Sequence, residues 1–309
     1  MEIELTSPLG ISIVIPAYNT GEFVYQAVQS ITRQGIQIAH EVILVDDGSN
    51  DGLTPTYIEK CAIDFKVQAI RLPKNEGSAH ARNIGIQAAK YPYIFNMDAD
   101  DMLSVNLTIL KNGTFCDIGV KHLENHPETA FVHCYTMMFG EYNGYTSSCF
   151  PLNEALAIKK YHVPAWIIYR KSDALNAGLY SEEVIKWTDW SFGIALLNGR
   201  LKNNLGNTIS CLPLPYYQYR IYTSAHRISL KNVSELKMVQ KTLDLYPEIF
   251  EKYYPDTQLN NRAEKILSQK PSNIQNLLHI ANNDIHIAEQ FITQRNYKLV
   301  SDIESNKTP

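Results

Sequence analysis

The sequence predicts an α/β protein with a mostly parallel sheet flanked by helices, followed by a C-terminal helical extension. Three observations carry this. Short β-branched apolar runs alternate with helix-period segments between Ile11 and Asp101, the order expected of parallel strands joined by right-handed crossovers. Several of these runs stop abruptly in polar or acidic clusters, which places the clusters at strand C-termini, where open parallel sheets hold ligands. From Ser234 onward the apolar periodicity is helical only,.

The elements follow in order. Ile11-Ser12-Ile13-Val14-Ile15 reads as a buried strand that leaves the sheet at Pro16, which cannot donate to a ladder,. Asn19 or Thr20 is positioned to cap the next helix, with Glu22 in its first turn and Phe23, Ala27, Val28 and Ile31 on its buried face,. Glu41 to Val45 is a second strand running into Asp46-Asp47-Gly48-Ser49, and a third is expected between Lys66 and Leu72. Asn75 to Ser78 turns into a helix from Ala79 to Lys90 that carries Arg82 and Asn83. Tyr93 to Met97 is a fourth strand, ending in Asp98-Ala99-Asp100-Asp101.

Carboxylates so close together repel one another, and ionised carboxylates cannot be buried bare. A divalent cation with oxygen preference removes both problems. Asp98 and Asp100 are two residues apart and in an extended segment point the same way, so they can share one ion,. A solvated acidic turn after an edge strand is the plainer alternative for this cluster taken alone.

Beyond it, the pattern is helical from Ser104 to His126 with interruptions at Gly113 and Gly119, then a strand from Ala130 to Tyr135. Met137 to Leu152 reads as loop, Tyr161 to Tyr169 as strand, and Lys171 to Ala177 as a short helix closed by Gly178,. Asp189 precedes an apolar helix, Phe192 to Leu197, ended by Gly199; local sequence favours a helix-capping Asp,. Pro213 to Arg227 reads as a tyrosine-rich strand and loop. The division into domains is 1–230, in two parts at about 1–101 and about 102–230, and a helical extension at 231–309.

Composition narrows the class. A hydrophobic content of 45% and a charged content of 19% fit a soluble globular protein,. A net charge of −4 argues against a general nucleic-acid binder,. The five cysteines form no Cys-x-x-Cys pair and suit reduced core thiols,. The N-terminus lacks the pattern of a signal peptide and no run approaches a membrane span, so a cytoplasmic protein is expected, with room for contact with a membrane from the side,. Neither a Gly-x-x-x-x-Gly-Lys-Ser/Thr loop nor a Gly-x-Gly-x-x-Gly after the first strand is present, which argues against phosphate held in a glycine cradle.

The residues just quoted resemble family 2 of the glycosyltransferases, which have the GT-A fold. The matching motifs are Val14-Ile15-Pro16-Ala17-Tyr18-Asn19, Val45-Asp46-Asp47-Gly48-Ser49, Asn75-x-Gly77 with Ala81-Arg82-Asn83-x-Gly85, Asp98-Ala99-Asp100, and Gly178 to Glu182 with Asp189-Trp190. The resemblance implies a nucleotide-diphosphate sugar donor, UDP first among them. It places Pro16, Ala17, Tyr18 and Asp47 at the base with Asp46 close by, Arg82 near the nucleotide, Asp98 at ribose and metal, and Asp100 on Mg²⁺ or Mn²⁺. It makes Asp189 the general base of an inverting displacement. Trp187 and Trp190 beside it are candidates to stack on acceptor sugars, with core packing as the alternative. The implied product is a hexosyl or N-acetylhexosaminyl linkage on a glycan, lipid-linked or protein acceptor, in bacterial surface glycan or glycoprotein assembly.

This chain departs from the family pattern in three places. Thr188 stands where Glu is usual, Arg220-Ile221-Tyr222 replaces Arg-x-His and leaves a metal or phosphate role for His226 in question, and the Gln-x-x-Arg-Trp motif of processive members is absent. The extension lies outside the resemblance and is expected to support acceptor binding or self-association. Two other classes compete. A sugar-1-phosphate nucleotidylyltransferase would carry a Gly-rich, Arg-containing loop after the first strand, and would release pyrophosphate from a nucleoside triphosphate. A non-catalytic nucleotide-sugar-binding protein would not need Asp98, Asp100 and Asp189 together.

Overall fold

A computed structural model describes residues 9–146, 150–160, 162–222, 232–256 and 259–293 of the chain. Its central sheet has nine strands, ordered β3-β2-β1-β4-β8-β6-β9-β5, with β7 paired to β6. The first half is parallel, as the alternating pattern requires: β1 (Gly10–Ala17) lies between β2 (Ala39–Asp46) and β4 (Tyr93–Asn96), and β3 (Gln68–Arg71) joins β2. The helices between them are α1 (Phe23–Thr32), α2 (Thr54–Phe65) and α3 (Ser78–Ala88). Ala17 stands opposite Asp46 and Val14 opposite Asn96, so the three polar clusters leave the sheet at one edge. Gly85 lets α3 sit hard against β1, since a Cβ there would lie 2.4 Å from Val14 Cγ1.

The second half is mixed. β8 (Ile168–Arg170) runs antiparallel to both β4 and β6 (Thr129–Gly140), β9 (Thr208–Ile221) is parallel to β6, and β5 (Met102–Leu103) is antiparallel to β9. Several expectations are corrected here. Part of the stretch read as loop is ordered: β6 continues to Gly140 and β7 (Gly144–Tyr145) pairs back onto it. The strand expected over 161–169 shrinks to β8, because Ala165, Trp166 and Ile167 are buried by packing without joining the ladder. Gly119 does not interrupt its helix, α5 (Phe115–Asn125); it makes room for Ile168, whose Cδ1 would lie 2.6 Å from an added Cβ. β9 absorbs Pro213 and Pro215 in a bulge, where the register jumps from Cys134↔Leu212 to Thr136↔Tyr217,.

Between the strands lie α4 (Leu107–Leu110), α6 (Glu154–Ile158), α7 (Lys171–Asn176) and α8 (Thr188–Lys202). Gly178 has φ +83° just beyond α7, as a left-handed helix end demands,. α8 passes through Gly199, where an added Cβ would lie 3.3 Å from Ala177 Cα and Cβ. The extension supplies α9 (Glu235–Leu245), α10 (Pro247–Tyr253), α11 (Leu259–Ser268) and α12 (Asn273–Asn283). It is not set apart: Val239, Leu243, Ile249 and Phe250 join one core with Ile194, Leu197 and the inner face of the sheet. Among the described residues no helix is long and apolar enough to cross a membrane, and Cys61, Cys116, Cys134 and Cys211 form no disulfide.

Candidate active site

The first two clusters are tied into one surface. Asp47 N donates to Ala17 O at 2.8 Å. Asn19 has φ +51° and caps nothing; instead its backbone N–H donates to Ser49 Oγ and its side chain exchanges hydrogen bonds with Asn50. The expected cap and first-turn acid are also corrected: Glu22 is itself the N-terminal flanking residue of α1, without a side-chain cap bond. Gly48, at φ +66°, passes so close to Lys74 that a Cβ would meet its carbonyl carbon at 2.4 Å. The turn borders an open cleft of about 430 Å³ lined by Gly48, Ser49, Asn50, Arg71, Leu72 and Pro73. Tyr18 projects beside this surface, 41% exposed.

Asp46 and Asp47 are both buried. Asp46 accepts from Ser49 N at 2.9 Å and pairs with Arg71 at 3.4 Å. Asp47 holds the entry to α3, with one carboxylate oxygen on Glu76 N and the other on Gly77 N, each at 2.8 Å. Burial pushes its carboxyl above the ordinary range, against the two N–H groups that favour its ionised form,.

The acidic strand end separates into three roles that sequence alone does not distinguish. Asp101 turns inward and is fully buried, accepting from Tyr217 Oη at 2.8 Å and from Arg220 N at 2.7 Å. Burial raises its pKa well above the usual value, and the charges of Asp100 and Asp98 add to that. Asp100 stays partly open and accepts from Tyr222 Oη at 2.8 Å. Asp98 accepts from Arg82 Nη2 at 2.6 Å. Arg82 Nη1 also lies 3.7 Å from Asp189. Burial opposes the charge on Arg82, but Asp98 and Asp189 more than offset it and hold the guanidinium above its ordinary pKa.

Asp189 is not a helix cap, which corrects the local reading. Trp187 holds the N-cap position of α8 in a left-handed conformation, φ +57°, and Asp189 sits inside the first turn. There a carboxylate is favoured by the helix dipole. Its side chain is 27% exposed, and Oδ1 is buried without a hydrogen-bond partner among the described residues. Burial raises its pKa, Arg82 opposes this, and Asp98 reinforces it. Trp190 belongs to the core at 3% exposure and donates Nε1–H to Ala157 O at 2.8 Å; Trp187 is half-buried beside it.

Two further residues explain why Arg82 stands where it does. Asn83 exchanges a pair of 2.9 Å hydrogen bonds with the Tyr180 backbone, which clamps the segment leading to Asp189 onto α3. Asn96 donates to the hydroxyls of Tyr169 and Tyr180. Tyr222 is the contact that sequence reasoning missed, and its signal was the departure from Arg-x-His. His226 lies outside the described residues.

The donor set suits a small divalent cation in part. Asp98 and Asp100 are hard oxygen donors on a partly open strand end,, and their charges add to the burial that raises the Asp101 pKa. Among the described residues no group of three or more acidic, His or Cys side chains forms a complete cage. Mg²⁺ in phosphate sites is commonly held by one or two carboxylates with substrate oxygens completing the shell, which is what this arrangement offers.

Residues 12–110 match the sequence profile of glycosyl transferase family 2. Among curated proteins the chain is similar to the glycosyltransferase GlyG of Streptococcus pneumoniae, 38% identical over 97 residues, covering 31% of this chain and 32% of that protein. It is also similar to the poly(ribitol-phosphate) β-N-acetylglucosaminyltransferase TarP of Staphylococcus aureus, 36% identical over 98 residues, covering 30% and 29%. The match thus spans about a third of these relatives. Among solved structures, S. aureus TarS residues 1–349 in complex with UDP-GlcNAc superposes with a TM-score of 0.62 at 18% identity, covering 90% of this chain and 83% of that one. The mannosyltransferase PcManGT of Pyrobaculum calidifontis, in complex with GDP-Man and Mn²⁺, gives 0.57 at 14% identity, covering 96% and 84%. At these identities the structural likeness establishes the shared fold.

Proposed function

We propose a sugar-transfer reaction for a chain that belongs, over residues 12–110, to glycosyl transferase family 2 and has the GT-A fold. The donor is a nucleotide-diphosphate sugar, UDP-linked by preference, and the acceptor is a hydroxyl of a glycan, lipid-linked or protein substrate. The supporting observation is Arg82, a buried cation spanning the strand-end carboxylate Asp98 and the helix carboxylate Asp189.

In this reading the base of the nucleotide enters the cleft beside Gly48 and Arg71, against the Pro16-Ala17-Tyr18 turn. Asp46 and Asp47 build its wall through Ser49, Arg71, Glu76 and Gly77. Asp98 faces the ribose, and Asp98 with Asp100 would hold Mn²⁺ or Mg²⁺. Such a cation, when bound, offsets negative charge on the departing diphosphate. Arg82 keeps two carboxylates apart and fixed next to the donor. Asp189 accepts the proton of the attacking hydroxyl at the face of the sugar opposite the leaving group. One displacement inverts the anomeric centre. Trp187, with its ring half-open, is the acceptor-stacking candidate; Trp190 supports it from the core. The relatives' names motivate a hexosamine or hexose donor and a surface-glycan acceptor as first choices for assay.

The test is a thermal-shift and transfer screen of nucleotide sugars with Mn²⁺, with and without EDTA. A true donor raises Tm by mass action, ~2.7 kcal/mol at a hundredfold excess over Kd, and EDTA abolishes transfer. Asp100→Ala is expected to lose metal-dependent donor binding while keeping a native Tm, since it removes charge from a repulsive cluster. Full transfer in metal-free buffer would reject the metal assignment. Pyrophosphate release from a nucleoside triphosphate and a sugar phosphate would favour the nucleotidylyltransferase reading instead.

A further inference from the structure

The extension reaches this site through one buried charge. Lys160 follows α6 in a left-handed conformation, φ +65°, and its side chain is only 5% exposed. Its ammonium lies 5.1 Å from the ring centroid of Trp187 and 4.4 Å from that of Trp190, the two tryptophans that bracket Asp189. Its ion pair, with Glu235 of α9, is long at 3.6 Å. That carboxylate is held more closely by Lys270, at 2.9 and 3.0 Å. Two ammonium groups therefore share one carboxylate, and Lys160 keeps donor capacity in a nearly dry setting. A second lysine, Lys186, lies 4.9 Å from the Trp187 ring. Positive charge and an aromatic face thus meet beside Asp189. A neutral sugar needs the second and has no use for the first.

We propose that Lys160 and Trp187 form an acceptor subsite for a substrate that carries a negative charge near its attacking hydroxyl, a phosphate or a carboxylate. This rests on the glycosyltransferase reading above. The anion takes hydrogen bonds from Lys160, which Glu235 anchors at 3.6 Å while Lys270 draws on the same carboxylate, and a sugar or polyol unit lies against Trp187. Charge-assisted hydrogen bonds of this kind are shorter and stronger than neutral ones, more so where water is excluded. Lys160 is then a specificity-determining residue, and α9 of the extension is its support. Burial lowers the Lys160 pKa to about 8, with Glu235 opposing this and Lys270 adding to it. The charged groups that act on it are Glu235, Lys270 and Asp189, with Lys186 at the same Trp187 ring and His162, which burial keeps neutral near pH 7, beside it.

The experiment is saturation-transfer NMR on the full chain held in UDP and Mn²⁺, titrated separately with sn-glycerol 3-phosphate, glucuronate and glycerol. Both anions are expected to bind more tightly than glycerol, and the tighter of the two identifies phosphate or carboxylate as the preferred group. Lys160→Gln should weaken anion binding ~10–100-fold, the scale of one charge-assisted hydrogen bond, Lys160→Arg should retain it, and UDP affinity should be unchanged in both. Equal binding of glycerol and the anions, or unaltered anion binding by a folded Lys160→Gln protein, overturns the proposal. Should that variant not fold, the wild-type chain decides. Anion binding must weaken as pH rises through about 8, where Lys160 loses its proton, and a flat profile overturns the subsite. If neither UDP nor any other nucleoside diphosphate binds the wild-type chain, the glycosyltransferase reading falls and the subsite with it. If UDP binds and the anions do not discriminate, the subsite alone falls.

Discussion

Asp189→Asn is expected to lower kcat by ~10²–10⁴-fold, the range for loss of a general base, with donor affinity and Tm little changed. Asparagine keeps the shape but carries no charge and cannot take a proton. The change cannot act through capping, because Trp187 and not Asp189 occupies the N-cap position of α8. Nor does it break a strong ion pair, since Arg82 lies 3.7 Å from Asp189 and keeps its 2.6 Å bond to Asp98. Asp189 Oδ1 is buried beside Arg82 without a hydrogen-bond donor among the described residues, and the side chain keeps 27% exposure, the opening through which an acceptor hydroxyl would reach the carboxylate. The pH profile gives a second readout. Burial raises the Asp189 pKa, with Arg82 opposing, so the base is protonated at a higher pH than an ordinary aspartate. Activity should fall as pH drops through that raised value, and the acid limb should vanish in Asp189→Asn. Near-normal kcat in a folded variant would reject the assignment and redirect it to Glu182, which bonds His80 at 2.9 Å, or to Glu183.

The part of the chain up to Asp101 was readable because its signals are local. A β-branched run, a proline or carboxylate at its end and a helix-period segment after it were enough to place β1, β2, β4 and α3 and to bring three polar clusters to one edge. What sequence did not separate is what depends on distant partners. Asp98, Asp100 and Asp101 look alike in the chain, yet they diverge because Arg82, Tyr222 and Tyr217 reach them from 16 to 122 residues away. β9 was obscured by Pro213 and Pro215, which are tolerated only because the bulge opposite Cys134 and Thr136 frees them from the ladder. Lys160 gave no signal at all, since its meaning comes from Glu235, 75 residues on and in another element.

The domain boundary drawn at 231 follows from the same limit and leads to the second large effect. α8 is buried from Trp190 to Arg200 on all sides, so it shows no polar face to warn that something covers it. What covers it is the extension. Trp190 packs on Phe250, Thr242 bonds Ser191 at 3.1 Å, and Asn198 bridges Glu248 and Ile249 N. A chain ending at residue 231 would strip this cover. Burying a Val, Leu, Ile or Phe side chain stabilises by ~1.5–3 kcal/mol. Val239, Leu243, Ile249 and Phe250, all at 1% exposure or less, therefore contribute about 6–12 kcal/mol before entropy, against roughly 5–15 for a whole domain. The expected outcome is a truncated chain without cooperative unfolding and without donor binding, in place of a donor-binding unit that has merely lost its acceptor. Phe250→Ala gives the graded version, at ~3–5 kcal/mol for a buried aromatic, read as a lowered denaturation midpoint with an unchanged slope. A truncated chain that melts cooperatively near the full-length Tm and still binds UDP would show that α8 does not need the extension, and would restore residue 231 as a true boundary.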